Sequence, residues 1–335
     1  MTPIKTLFCL LLLAVTGLSS ATTDSLSTSQ QATIDALFER WNQDNSPGVA
    51  LGVIQAGNMV YSKGYGLANL EHGVANTTQT AFNLASISKQ FTAACVLQLA
   101  ADNKLQLDQT LDQFFPEFPA YAKDINISHL LHHTSGLRDF TQITYLTGLR
   151  PDDYYDDTDI MGWISQQQAL NFQPGEQHMY SNSGYWLLGR IVEKASGMSL
   201  AKYAEQTIFK PLGMTNTQFI DNNTTVIKNR ASGYSPIRSG GHRLIRTLLQ
   251  RTGEAGVFST VEDLKRWDDS FYSTTTFHAD FWQQMTRTGK LNNGESINYA
   301  KGLEIGEHQG HKSISHAGRW PGFQTEMVRF PEHKL

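Results

Sequence analysis

Cysteine is nearly absent: the 335 residues hold two, Cys9 and Cys95. Cys9 lies in an apolar opening segment that is read below as cleaved. Cys95 is then alone, which excludes an internal disulfide. It falls in an apolar helical pattern, where a lone thiol acts as a small buried hydrophobe rather than a nucleophile. Excess positive charge is also lacking. Lys and Arg number 27 against 31 Asp and Glu, a formal net charge of −4, so nucleic acid is not an expected partner. Internal repeats and low-complexity linkers are missing too. The length then suits one large domain, or two intimate ones, with a sizeable core.

Long hydrophobic runs are scarce. The N-terminal one, in "MTPIKTLFCLLLLAVTGLSSA", has an early Lys5, an apolar stretch from Leu7 to Val15 and small residues ending at Ala21. That is the pattern of a secretory signal peptide, too short for a membrane span. Cleavage after Ala21 is expected, placing the mature chain in the periplasm or outside the cell. Cys9 lies within the apolar run and not at the cleavage point, so no stable membrane anchor is expected.

What is present is a clear order of elements. Residues 29–44 place Ile34, Leu37, Phe38 and Trp41 on one helical face. "PGVALGVIQAGNMVYSKGYGLANL" reads as two strands about a turn at "QAGN". Residues 87–101, "ISHLLHHTSGL" up to Gly136, "GYWLLGRIVEKASG" up to Gly197 and "SLAKYAEQTIFKPLG" read as helices. "STVEDLKRW" opens with a capping box. From about residue 297 the pattern returns to strands and turns. Strands at both ends and helices between predict an α+β fold. Its antiparallel sheet and flanking helices come from residues 29–80 and 297–335, with a large mainly helical insertion over 81–296.

The chemistry begins at "NLASISKQFTAACVLQLA". Ser86 and Lys89 are three residues apart, which on a helix puts them on one face. A serine hydroxyl needs a base, and a lysine serves if burial or a neighbouring cation lowers its pKa. A helix start also favours a developing anion. The spacing alone says little, since about one S-x-x-K is expected by chance in a chain of this size. A second copy, Ser199 to Lys202, follows "ASGM" and reads as a helix cap with a solvated lysine. A cap above a surface lysine is the bland reading of Ser86 as well.

Three further segments change the balance: "FQPGEQHMYSNSGYWLLGRIVE" with Tyr180-Ser181-Asn182, "ISHAGRWPGF" with His316-Ala317-Gly318, and "LLHHTSGL". With "PGEQHMYSN" and "GEAGVFSTVEDLKRW", they make the chain resemble, from about residue 30 to its end, the serine β-lactamase and penicillin-binding-protein superfamily. The nearest likeness is to class C β-lactamases and DD-peptidase-related hydrolases. The resemblance implies a β-lactamase/transpeptidase-like fold and an acyl-enzyme on Ser86. It implies that Lys89 shapes the deprotonation of Ser86 and that Tyr180 is the partner base, its phenolate favoured by nearby cations. Asn182 would bind the substrate amide. The backbone N–H groups of Ser86 and Arg319 would form the oxyanion hole, and Gly318 would allow close approach of substrate. His316 replaces the lysine typical of efficient β-lactamases, and is expected to bind a substrate carboxylate with help from Arg319. A second H-x-G, His308 to Gly310, falls in an expected turn.

The substrate class stays open among peptides, amides, esters and β-lactams. His316 favours a D-amino-acid peptidase or esterase over a true class C-like β-lactamase. A non-catalytic ligand-binding or scaffold role is the alternative outside enzymology. His129, His132 and His133 have a spacing that can bind zinc, but no acidic residue completes an H-E-x-x-H motif. No metal and no cofactor is expected; the partner is a small-molecule or peptide substrate. The closing "MVRFPEHKL" reads as a strand and a turn. Relatives continue into a further strand and a helix, so a chain ending at Leu335 is expected to be poorly stable.

Overall fold

The computed structural model describes residues 25–150, 153–248, 250–273 and 275–335. The expected signal peptide, residues 1–21, lies outside them. Helix α1, Thr28–Phe38, starts at a capping box in which Ser27 and Gln30 satisfy each other's backbone N–H groups. Its buried Ile34 and Phe38 lie on a hairpin of strands β1, Val49–Gln55, and β2, Asn58–Tyr65. The turn between the strands puts Ala56 and Gly57 at φ 49° and 81°. Two successive positive φ values match the right-handed twist of the strands. Asp35 ties α1 to the hairpin by accepting hydrogen bonds from Tyr61, Lys63 and Tyr65.

The central helix is α2, Ser88–Ala101, entered through a 3-10 turn at Ala85–Ile87. It is buried on every side, as a helix at the centre of a large core must be. Its polar side chains therefore need partners. Ser88 accepts from the Val257 N–H, Thr92 donates to the Gly253 carbonyl, and Gln90 accepts from the Trp267 indole. Helices α3, Ile127–Leu131, and α4, Phe140–Leu146, pack on α5, Asn182–Ser196, which itself packs on α2. Helix α5 ends at Gly197 in the left-handed conformation. Short strands β3, Phe82–Asn83, and β4, Gln218–Phe219, flank β5, Val257–Ser259. Helix α6, Val261–Asp269, follows, capped by Thr260. Ser199 also caps a helix, accepting from the Lys202 N–H at 3.2 Å. Cys95 is fully buried in α2.

The last strands, β6, Glu304–His308, β7, His311–Trp320, and β8, Phe323–Arg329, form an antiparallel sheet in the order β6-β7-β8. His308–Gly310 lies at the β6–β7 turn, with Gln309 and Gly310 at positive φ. The molecule is α+β, strands at both ends of the chain and helices between them. One detail differs from the expected single sheet. Among the described residues no hydrogen-bonded ladder joins β1–β2 to β6–β7–β8. A cavity of about 290 Å³ lies between the facing strands β1 and β8, lined also by Phe38, Leu84 and Leu335. Among the described residues no helix is long and apolar enough to cross a membrane.

Candidate active site

Ser86 sits in the turn that feeds α2, where several contacts fix the backbone. Ala85 has φ 49°, a left-handed conformation uncommon for a residue with a side chain. It is held there by its N–H, which donates to the Asn83 side-chain oxygen at 2.8 Å. Leu84 donates to the Val257 carbonyl, and its own carbonyl accepts from the Thr325 hydroxyl at 2.8 Å. Strand β7 passes directly over this turn. A Cβ on Gly318 would come within 2.5 Å of the Leu84 carbonyl oxygen and 2.3 Å of Thr325 Oγ1. Only a residue without a side chain allows that approach.

Lys89, the second residue of α2 and one turn beyond Ser86, has no exposed surface. Its Nζ is 3.2 Å from Ser86 Oγ, 2.9 Å from Asn182 Oδ1 and 2.7 Å from the Glu254 carbonyl oxygen. Burial pulls the amine down to about 7; the carboxylates of Glu254 and Asp139 oppose this and Arg251 adds to it. The partners then decide the arrangement. Asn182 Oδ1 and the Glu254 carbonyl can only accept. A neutral amine has two hydrogens for these two oxygens, and its lone pair is left for the Ser86 hydroxyl.

Tyr180 closes the site. It is within hydrogen-bonding reach of Ser86, and its ring centroid is 4.8 Å from Lys89 Nζ. The sequence suggested a phenolate here; the structure reverses that. Burial pushes the phenol up, and the negative charges of Asp139, Glu254 and Glu304 push it further. Tyr180 is thus a proton donor at rest, and Lys89 the better base. Beside Tyr180 lies a cleft of about 720 Å³, lined by His178, Tyr299, Glu304, Ser313 and Ser315 among others.

His316 also departs from expectation. It is 2 % exposed. Its Nδ1 is 2.7 Å from the Ala317 carbonyl and its Nε2 is 2.9 Å from the Tyr299 hydroxyl. Both ring nitrogens are engaged inside the protein, which does not suit direct contact with a substrate carboxylate. Arg319, next to Gly318 on β7, is exposed.

The three spaced histidines separate in function. His129 Nδ1 accepts from the Asn126 N–H within a capping box, His132 Nδ1 is 3.3 Å from the Tyr299 carbonyl, and His133 Nδ1 accepts from the Ser181 N–H. Burial pulls His132 down to about 4 and His133 well below its ordinary value. Among the described residues no group of three or more His, Cys, Asp or Glu is arranged to hold a metal ion.

The structure brings Ser86, Lys89, Tyr180 and Asn182 together, with Gly318 beside the Ser86 turn. It adds groups that no spacing in the sequence marks: Asp139, Glu254 and Tyr299. Asp139 comes two residues after the noted "HTSGL" segment, but a carboxylate after a loop is no signal by itself.

What this constellation can do is activate a hydroxyl with a lysine instead of a histidine, as a lysine-dependent serine hydrolase would. The Beta-lactamase family model matches residues 33–335, and the chain belongs to that family of serine hydrolases. Penicillin-binding protein 4* of Bacillus subtilis is 30% identical over 316 residues, covering 90% of this chain and 69% of that protein. A D-aminopeptidase of Gluconobacter oxydans is 27% identical, covering 93% of this chain and 58% of its own length. The chain therefore spans little more than half of that relative. Among solved structures, an octameric penicillin-binding protein homologue from Pyrococcus abyssi superposes with a TM-score of 0.77 at 26% identity, covering 90% of this chain and 70% of that one.

Proposed function

We propose that the protein hydrolyses peptide or amide bonds through an acyl-enzyme on Ser86. The observation that carries this reading is the set of three contacts at Lys89 Nζ, which leave a neutral lysine's lone pair for the Ser86 hydroxyl. Lys89 takes the Ser86 proton as Oγ attacks the acyl carbon. Oxyanion stabilisation falls to backbone N–H groups at Ser86 and on β7. Tyr180, protonated at rest, delivers a proton to the leaving nitrogen as the carbon–nitrogen bond breaks, and is reprotonated from Lys89. Water then attacks the ester by the reverse of this path, returning Ser86 and releasing the acid.

The D-aminopeptidase and penicillin-binding-protein relatives support a substrate with a D-amino acid next to the scissile bond. β-Lactams fit the same site as acylating agents that turn over slowly. The apolar segment ending at Ala21 supports export across the cytoplasmic membrane.

The test is intact-protein mass spectrometry after incubation with a penicillin, beside Ser86→Ala, with circular dichroism to show that both are folded. A gain of one acyl group in the wild type alone is expected. Its persistence or decay separates a penicillin-binding protein from a β-lactamase. Folded protein that forms no adduct and cleaves no D-amino-acid amide would leave the non-catalytic binding reading in its place.

A further inference from the structure

The Asn182 side chain can meet Lys89 in two ways. With Oδ1 toward Nζ it accepts a hydrogen from the amine. Turned over, it presents an NH₂ group, and the only way a neutral lysine can meet a donor is with its lone pair. That second arrangement would take the lone pair away from Ser86. The direction in which the Asn182 amide points therefore decides whether Lys89 can act as a base.

Asp139 sits where that direction is set. Its Oδ2 accepts from Asn182 Nδ2 at 2.9 Å and from the Asn182 backbone N–H at 3.2 Å. Its Oδ1 accepts from the backbone N–H and the hydroxyl of Thr141, both at 2.8 Å. A carboxylate accepts only, so it must face the NH₂ end of the amide and the oxygen must face Lys89, where it lies at 2.9 Å. Asp139 itself is held by the start of α4. The starts of α4 and α5 are joined further by the Phe140 N–H, which donates to Ser183 Oγ at 2.9 Å, and by Ser183 Oγ, which donates to the Arg138 carbonyl at 2.7 Å. The chain from Asp139 through Asn182 and Lys89 to Ser86 is continuous and buried or half-buried throughout.

We propose that Asp139 is a positioning residue for the reaction: it locks the Asn182 amide so that its oxygen faces Lys89, and so directs the Lys89 lone pair at the Ser86 hydroxyl. This rests on the acyl-enzyme reading of Ser86. Asp139 touches neither substrate nor the reacting atoms; it acts through Asn182. Its charge has a second effect. The charged and titratable groups facing Lys89 are Asp139, Glu254, Arg251, His133, Tyr180 and Tyr185. Asp139 is one of two carboxylates that oppose the downward pull of burial on the amine.

Two variants test this. Asp139→Ser keeps an oxygen to cap α4 at Thr141 but withdraws the carboxylate from Asn182, leaving its Nδ2 the longer 3.4 Å contact to Thr141 Oγ1. Asp139→Asn keeps the shape, but its single oxygen cannot serve both Thr141 and Asn182. Acylation by a penicillin is followed by mass against time from pH 5.5 to 9, with thermal melting as the control for folding. Each variant is expected to acylate about 10- to 100-fold more slowly at the optimum, the scale of one hydrogen bond to a charged group. The acid limb should also move to lower pH, because one group holding the lysine proton is gone. A cap with only a structural role would lower the melting temperature and leave the acid limb in place. If either variant melts as the wild type does, acylates within about twofold of it and keeps its acid limb, the proposal is overturned. Should Asp139→Ser fold poorly, Asp139→Asn carries the test alone. A wild type that does not acylate at Ser86 would instead remove the reading on which the proposal rests.

Discussion

The Tyr299 hydroxyl and Nε2 of His316 share a hydrogen bond across 2.9 Å, with both groups buried. Burial pushes the phenol well above its ordinary value, so it stays protonated. Nδ1–H of the same ring faces the Ala317 carbonyl. Both ring nitrogens are thereby occupied within the protein.

His316→Ala should therefore act first on stability. It leaves the Tyr299 hydroxyl without this partner, at a cost of about 1–3 kcal/mol before the lost packing is counted. Denaturant unfolding measures this. The pH dependence of kcat/KM should keep its form in the variant. A loss of wild-type activity as pH rises through about 6.5, absent in His316→Ala, would restore the role of carboxylate ligand.

The pH profile should instead belong to Lys89. Its amine, pulled down to about 7 by burial, must be neutral to take the serine proton. Acylation should then rise with pH through about 7, falling close to tenfold for each unit below it. The same shift has a signature in stability. Folding lowers the proton affinity of this amine from its ordinary 10.5, so between about 7 and 10.5 the unfolded chain binds more protons and stability rises with pH. Thermal melting from pH 6 to 10 should show that rise, and Lys89→Met should flatten it. An acid limb centred near pH 5, unchanged in a partly active Lys89 variant, would point to another base.

Some of this was legible in the sequence and some was not, for reasons of range. The Ser86–Lys89 approach follows from helical periodicity. The β1–β2 turn follows from "QAGN", and the innocence of Ser199–Lys202 from a cap that the structure shows as a 3.2 Å bond. Each is set within a few residues. The contacts that assign chemistry are long: Asn182 Nδ2 to Asp139 spans 43 residues and Lys89 Nζ to the Glu254 carbonyl spans 165. No spacing encodes them. Burial was also hidden, and burial reversed two readings. It keeps Tyr180 protonated where a phenolate was expected, and it encloses His316 where a substrate ligand was expected. Strands at both chain ends were read correctly; their union in one sheet was not seen among the described residues. The division into β1–β2 and β6–β7–β8 depends on ladder hydrogen bonds, which alternation along a single strand does not report.

Gly318 offers a test of how tightly the nucleophile is placed. Its Cα passes so close to the Ser86 turn that an added Cβ would meet Thr325 Oγ1 at 2.3 Å, the Leu84 carbonyl at 2.5 Å and Ala85 Cβ at 3.0 Å. Two of these belong to the turn itself, and the third is the hydroxyl that holds the turn through Leu84. In Gly318→Ala the strand must move away from the turn, or the turn from the strand. Displacement of about 1 Å at a reacting centre costs on the order of 100-fold in rate. Gly318→Ala should lose acylation on that scale while its melting temperature falls only modestly, because β7 keeps its ladder with β6 and β8. Equal and moderate losses in both would mean that the close approach serves packing. Acylation at the wild-type rate would mean that neither β7 nor the turn needs its present position for the chemistry.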